Sequence, residues 1–276
     1  MAVEVTNQQE QRQLWQVVDL LDRASTWESI TNDPSGVWIV QPGSPLAVDD
    51  AATAPRHHLS SYSWNAITVA VDHLHCLRRS LIENSATGRP QVFLHTHAQA
   101  SLLRGALENA ARVIWLLGPE VRRQRVFRRL GLQAREITAS DKIHKIIGAT
   151  PPRTTQVRSD ELRALGKAAG LTSTELKKVF NPHEFGYARI VTQAATLASL
   201  DSNLARFAWN GCSALAHGDF HATLSLLDRE VVGQQDTMML GRITMPVQLL
   251  HAAAIVSTRL IDAALSRYRE CAGRQI

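Results

Sequence analysis

The chain has 276 residues, of which 45% are hydrophobic and 20% are charged, a globular composition that excludes disordered and collagen-like classes. Its 30 Lys and Arg residues against 25 Asp and Glu give a formal charge of +5 and a pI near 9.4. This excess is compatible with an anionic partner without requiring one. The three cysteines form no C-x-x-C pair, which argues against a disulfide framework and a cysteine-based zinc site.

The hydropathy of the chain predicts a soluble protein of the cytoplasm. The segment Met1–Glu10 is polar and acidic, without the apolar core of a signal peptide. No apolar run approaches the roughly 20 residues that a membrane helix needs. Phosphate-binding glycine loops, G-x-S-x-G elbows and H-E-x-x-H helices are also missing, so the enzyme classes that these motifs mark are not indicated.

Helical periodicity dominates after residue 60, and the Val/Ile runs that mark strands are almost absent. The pattern predicts an all-α bundle of about seven to nine helices. A first amphipathic helix is expected from Gln8 to about Ala24. Thr31 to Pro55 contains six Pro and Gly residues and is expected to be an ordered loop or a lid. We therefore divide the chain into an N-terminal helix and loop, residues 1–60, and a helical bundle core, residues 61–276.

The later helices are bounded by turn signals. Long helices are expected at Ser61–Asn84, Gln91–Leu117, about Glu120–Ile147, about Ala188–Asp228 and about Thr244–Glu270. The Ala188–Asp228 helix has a candidate break near Ser199-Leu200-Asp201. Two short helices are expected between Ser159 and Val179, and a turn at Ser85–Pro90.

A polar arc lies beside the core face of the Gln91–Leu117 helix. At 100° per residue it contains His97, Ser101, Arg104, Glu108 and Trp115. Arg104 and Glu108 are one turn apart and can pair. The arc is either a solvated flank with one salt bridge or the wall of a cleft. In a cleft, Arg104 binds an anionic group while Glu108 orients it or acts as a base.

A second arc lies on the late helix, where Trp209, Ser213 and His217 occupy successive turns. Asn210 stands at the edge of this arc, and Gly218 is expected to loosen or end the helix after His217. A single histidine in such a place is often a buried group satisfied by a backbone carbonyl. If the two arcs converge, Arg104, Glu108, Ser213 and His217 form one pocket, roofed by Trp115 and Trp209.

These residues also carry a resemblance. The motifs are Trp209-x-x-x-Ser213-x-x-x-His217-Gly218, Leu102-Leu103-Arg104-Gly105-Ala106-Leu107-Glu108-Asn109 and Trp115-Leu116-Leu117. Together they resemble all-α proteins common in actinobacteria that are distantly similar to the HEPN superfamily, which includes RNA-cleaving toxins. In HEPN nucleases an Arg and a His separated by four to six residues act on RNA across a dimer interface. Here Arg206 precedes His217 by eleven residues, about 16 Å of helix rise, and Asn210 occupies the expected arginine position. The resemblance therefore implies a binding role or a diverged ribonuclease, as a homodimer.

The arginine-rich start of the Glu120–Ile147 helix has three interpretations. Arg125 and Arg128 contact phosphates of a nucleic acid, belong to an ordinary solvated face, or close onto Glu108 across the Gly118-Pro119 turn. We include Arg125 and Arg128 among the candidate ligand-binding residues.

Histidines are common metal ligands, so their spacing bears on a metal site. The chain has 11, but Asp72-His73-Leu74-His75 is one imperfect copy of the unit that di-iron bundles repeat on two helices. We therefore expect no metal and no cofactor.

Three functions remain open. The leading hypothesis is a HEPN-like protein that binds an anionic partner, RNA or nucleotide, with His217, Glu108 and Ser213 as catalytic candidates. Its ligand-binding candidates are Arg104, Trp115, Trp209, Asn210, Arg125 and Arg128. The second is a metal-independent enzyme of specialised metabolism with a Trp-lined pocket and His/Glu acid–base residues. The third is a structural or interaction module in which both arcs are packing surfaces.

Overall fold

A computed structural model describes residues 7–84, 90–236 and 238–274 of the chain. These residues form eleven α-helices: α1 (Gln8–Asn32), α2 (Pro45–Ala51), α3 (Leu59–Leu81), α4 (Ala98–Leu117), α5 (Arg122–Ile146), α6 (Thr155–Ala168), α7 (Ser173–Val179), α8 (Tyr187–Leu197), α9 (Ser202–Ala216), α10 (Phe220–Leu226) and α11 (Val247–Cys271). Short 3-10 turns lie at Pro55–His57 and Pro182–Phe185. Two antiparallel hairpins pair β1 (Ile82–Asn84) with β2 (Pro90–Val92) and β3 (Asp228–Gln235) with β4 (Met238–Thr244).

Helix α4 is the centre of the bundle, since α3, α8, α9 and α11 all pack against it. Its Leu103, Leu107 and Leu117 are fully or almost fully buried, as the apolar arc predicts. Gly105 allows α3 to approach closely, because a Cβ at this position would lie 2.2 Å from a ring carbon of His73. The helix therefore presents its polar arc to α9 while the opposite side is packed.

A second, smaller core joins α5 to α6 and α7. It contains Val126, Leu130, Ile137, Leu162 and Val179. Gly170, at a φ of +80°, follows α6, and Thr172 and Glu175 form a capping box at the start of α7. The arginine-rich helix is thus a packed element of the fold.

The Pro/Gly-rich segment is ordered and packs on the C-terminal end of α11. The Tyr268 hydroxyl donates to the carbonyl of Trp38, and the amide of Gln41 donates to the carbonyl of Ala272 at 2.9 Å. Ser44 caps α2, which carries Asp49 into the interior. Helix α1 runs to Asn32 and its Leu21 joins the main core.

Two sequence expectations need correction. The fold is predominantly helical, but eleven α-helices exceed the predicted seven to nine. The segment expected as one long helix from Ala188 to Asp228 is three helices, because both of its candidate breaks, at Ser199 (φ 55°) and Gly218 (φ 66°), interrupt it, and β3 begins at Asp228. The predicted turn at Ser85–Pro90 lies almost entirely outside the described residues.

Helix α11 is long and apolar enough by length and composition to cross a membrane. Within this fold, 61% of its most apolar window is buried by other helices, as in the core helix of a globular protein.

Candidate functional site

The polar arc of α4 forms the first half of the candidate site. Arg104 Nε donates a hydrogen bond of 2.9 Å to Glu108 Oε1, one turn further along the helix. The Arg104 side chain is 26% exposed and that of Glu108 is 13% exposed. The pair is therefore partly shielded from water, which strengthens it relative to a fully exposed pair.

The end of α9 forms the second half. His217 is the C-cap residue, and Gly218 follows it in the left-handed region at a φ of 66°. The amides of Gly218 and Asp219 donate back to Leu215 and Ala214, at 3.0 Å each. The expectation that Gly218 ends the helix is confirmed. His217 consequently lies at an exposed helix end with its ring free to turn toward α4.

The two halves meet, so the arcs do converge. Arg104 Nη1 lies 2.9 Å from His217 Nε2, and Trp209 Nε1 donates to Glu108 Oε1 at 2.7 Å. A guanidinium only donates, so His217 Nε2 is the acceptor here and the imidazole is the neutral tautomer with its proton on Nδ1. We call Arg104, Glu108, Trp209 and His217 the Arg104–His217 site.

His97 strengthens this junction. Its Nδ1 lies 3.0 Å from the carbonyl oxygen of Leu215, which joins the start of α4 to the last turn of α9. The position of His97 on the same arc as Arg104 was the signal for this role, although its carbonyl partner is 118 residues away.

Ser213 and Asn210 are on the α9 side of the site. Ser213 is half-buried, and its hydroxyl makes no hydrogen bond within the part of the chain that the structure describes. Asn210 is exposed one turn before Ala214. Between them lies Cys212, and burial raises the pKa of its thiol to about 12, which argues against a thiolate nucleophile.

Trp115 does not roof the site, contrary to the expectation. It is 3% exposed, its Nε1 donates to Gln193 Oε1 at 2.8 Å, and its ring contacts Phe185 edge-on. Eleven residues of helix, about 16 Å, separate it from Arg104. Trp115 is a core residue.

Arg125 and Arg128 are also placed elsewhere, and neither closes onto Glu108. Arg125 forms a two-point ion pair with Asp49, at 2.6 and 2.9 Å, and donates to the carbonyls of Pro119 and Glu120. Arg128 lies over the Trp115 ring at 4.5 Å and donates to the Trp115 carbonyl. Burial, together with the charge of Arg189, lowers the pKa of Arg128 to about 10.

The histidines do not gather into a metal centre. Among the described residues, no group of three or more His, Cys, Asp or Glu side chains is placed to hold a metal ion. The Arg104–His217 site itself contains one carboxylate and one imidazole, joined through a guanidinium.

The site can bind an oxyanion. Arg104 keeps its Nη2 group without a hydrogen-bond partner among the described residues, while its Nη1 donates to His217 Nε2. Glu108 fixes the guanidinium, and planar guanidinium groups bind phosphate and carboxylate groups through two parallel hydrogen bonds. Phe207 and Phe220, 51% and 75% exposed, lie on the neighbouring surface of α9 and α10.

Comparison with known proteins found no matching family model, no matching curated protein and no matching solved structure.

Proposed function

We propose that the protein binds an anionic partner, RNA or a nucleotide, through the Arg104–His217 site. The observation that carries the proposal is the 2.9 Å contact between Arg104 Nη1 and His217 Nε2 at an exposed helix end. The Arg104 guanidinium, held against the imidazole, keeps N–H donors that can bind a phosphate. Glu108 accepts the second hydrogen bond that fixes Arg104 in place.

The arrangement is compatible with a HEPN-like origin. In the HEPN pattern the arginine precedes the histidine on one helix, and in this chain Asn210 occupies that place. Arg104, from α4, reaches His217 instead. In the diverged-ribonuclease form of the proposal, Arg104 turns from His217 to the bound phosphate and stabilises its negative charge. The Nε2 lone pair of His217, released from Arg104, then takes the proton of an RNA 2′-hydroxyl. A cytoplasmic location belongs to the same proposal.

We propose further that a second copy of the chain covers the β3–β4 hairpin. Within the described residues, β3 and β4 form a sheet of two strands, so each strand is an edge strand. Val231, Met238, Met239 and Leu240 on this hairpin are between 62% and 69% exposed. Apolar edge strands of this kind are usually protected by pairing with another strand. Size-exclusion chromatography with light scattering should show a dimer that Leu240→Glu weakens; a wild-type monomer would contradict this part.

The two other hypotheses receive less support from the geometry. A small-molecule enzyme needs Glu108 as a free acid or base, but Glu108 Oε1 accepts hydrogen bonds from both Arg104 and Trp209. The Trp-lined pocket of that hypothesis would need Trp115, but Trp115 is a core residue. A purely structural module does not account for the open nitrogen of Arg104.

The test is the affinity of the full chain for a fluorescent single-stranded RNA, measured by anisotropy at two salt concentrations. Arg104→Gln and His217→Ala should each weaken binding by about tenfold to a hundredfold, the typical worth of a hydrogen bond to a charged group. The melting temperature should remain close to that of wild type, because both side chains are accessible to water.

Two controls separate the site from general surface charge. His221→Ala removes an exposed imidazole one turn beyond His217, and Arg206→Gln removes an exposed arginine from the same helix. Both variants should bind RNA within about twofold of wild type, because salt screens most of the effect of a single exposed side chain outside the site. Equal losses in the controls and the site variants would overturn the proposal, as would a collapse of melting temperature in both site variants.

A further inference from the structure

A second group of cationic side chains lies on another face of α4, where α3, α5 and α8 meet. Arg129 lies 4.1 Å from the ring of Tyr62, and Arg112 contacts the rings of Tyr62 and Tyr187 at 5.8 and 5.5 Å. The guanidinium carbon of Arg135 lies 5.5 Å from the centroid of the Tyr187 ring. We call these five residues the arginine–tyrosine cluster.

The cluster contains buried donors that have no acceptor. Arg129 is 3% exposed, and only its Nη2 is satisfied, by Gln133 Oε1 at 2.8 Å. Its Nε and Nη1, and the Nε of Arg112, have no hydrogen-bond partner among the described residues. A buried polar group without a partner is costly, and a buried charge more so.

The cluster has no close countercharge among the described residues. No carboxylate there lies within 4.0 Å of a nitrogen of Arg112, Arg129 or Arg135. From a greater distance, Glu136 interacts electrostatically with Arg112 and Arg129, and Asp50 interacts with Arg129. Three guanidinium groups against these two carboxylates leave about one positive charge uncompensated.

The tyrosine hydroxyls add further donors. Both accept hydrogen bonds from Arg112, so their protons are free to donate elsewhere. Burial raises the pKa of Tyr62 to about 12, which keeps that proton in place at neutral pH, and burial also lowers the pKa of Arg129.

A cavity lies next to the cluster, on the far side of Gln133. Gln133, which accepts from Arg129, lines a cavity of about 400 Å³ together with Glu136 and His57. His57 Nδ1 lies 3.4 Å from the same Gln133 oxygen.

We propose that the arginine–tyrosine cluster is a binding site for a phosphate group, held by Arg129, Arg112 and the hydroxyls of Tyr62 and Tyr187. A phosphate group is anionic and offers enough acceptors for the unsatisfied donors. A carboxylate has only two oxygens, and it would leave part of this donor set unused.

This site is independent of the Arg104–His217 site. Arg104 and Arg112 are eight residues apart on α4, about 12 Å of helix rise and about 80° around its axis. Arg104 faces α9, whereas Arg112 contacts side chains from α3 and α8. Failure of RNA binding at one therefore leaves phosphate binding at the other unaffected.

The experiment is a melting titration of the full chain with inorganic phosphate at constant ionic strength. Wild type should gain about 2 to 3 °C at ten times the Kd, by mass action on the folded state. Arg129→Met and Arg112→Met should lose this gain. Without phosphate, Arg129→Met should melt no more than a few degrees below wild type, because the variant also removes an unpaired buried charge.

Matched variants and a second anion decide between outcomes. Arg123→Met, on the exposed side of α5, should keep the full gain. Should the Arg→Met variants fail to fold, Tyr187→Phe removes one donor and should reduce the gain by at least half. No gain in wild type, an equal gain in Arg129→Met or Tyr187→Phe, or an equal gain with acetate in place of phosphate would overturn the assignment.

Discussion

Arg125 and Arg104 were both candidates for ligand binding, and the structure gives them opposite surroundings. Arg125 is 5% exposed and every arm of its guanidinium is occupied, by the carboxylate of Asp49 and by the carbonyls of Pro119 and Glu120. Arg104 is about a quarter exposed, with one carboxylate partner, one imidazole partner and one open nitrogen.

The difference shows that the number of guanidinium donors left without a protein acceptor, more than the charge itself, distinguishes a ligand-binding arginine from a structural one. Arg125 joins α5 to α2 and has no donor left for a ligand. Arg129, one turn along the same helix, is equally buried but has two nitrogens without acceptors. A ligand can add contacts at Arg104 and Arg129 but would have to displace protein contacts at Arg125.

The largest expected effect tests the structural side of this comparison. Arg125→Met leaves Asp49, which is 0% exposed, as an unpaired buried charge, and should lower the free energy of unfolding by about 3 to 5 kcal/mol in urea denaturation. The double variant Arg125→Met/Asp49→Leu should recover most of that loss, since it removes both charges. A single-variant loss below about 1 kcal/mol would contradict a structural role.

A smaller effect tests how Arg104 is held. Glu108→Gln keeps an oxygen acceptor for Arg104 and Trp209 but removes the charge, so RNA affinity should fall by about two- to fivefold, less than in Arg104→Gln. Trp209→Phe removes only the indole donor to Glu108 and should have no more than that effect. Wild-type affinity in Glu108→Gln would mean that the carboxylate does not position Arg104.

The smallest effect concerns His57, beside Arg129. Burial, and then the charge of Arg129, lowers the pKa of His57 below its usual value. The unfolded chain then binds the proton more tightly, so stability contributed by neutral His57 is present above the ordinary histidine pKa near 6.5 and is lost as pH falls toward the lower folded value. Unfolding free energies measured from pH 7.5 to pH 5 should decline less steeply in His57→Gln. An identical slope would count against the shift.

Local patterns predicted much of the site, because its geometry depends on helix periodicity. The 100° spacing placed Arg104 and Glu108 on one face, and Gly218 marked the end of α9 beside His217. Trp115 lies on the same arc when α4 is viewed along its axis. That view ignores the distance along the axis, which takes Trp115 away from Arg104 and into the core.

Long-range partners could not be read from the sequence. Asp49 is 76 residues before Arg125 and lies in a segment whose Pro and Gly content indicated only a loop. The β3–β4 hairpin was missed for a different reason. Its two faces are both exposed, so it has no alternation of apolar and polar residues to reveal strands. The predicted helix bundle therefore had the correct central helices but did not include the exposed β3–β4 hairpin.

The most direct test of the central claim is a double-mutant cycle on RNA affinity with Arg104→Gln, His217→Ala and the double variant. If the two side chains act as one unit, the double variant should bind about as weakly as the weaker single variant, a coupling of about 0.5 to 3 kcal/mol. Losses that simply add, or no loss in either single variant, would contradict a shared Arg104–His217 site.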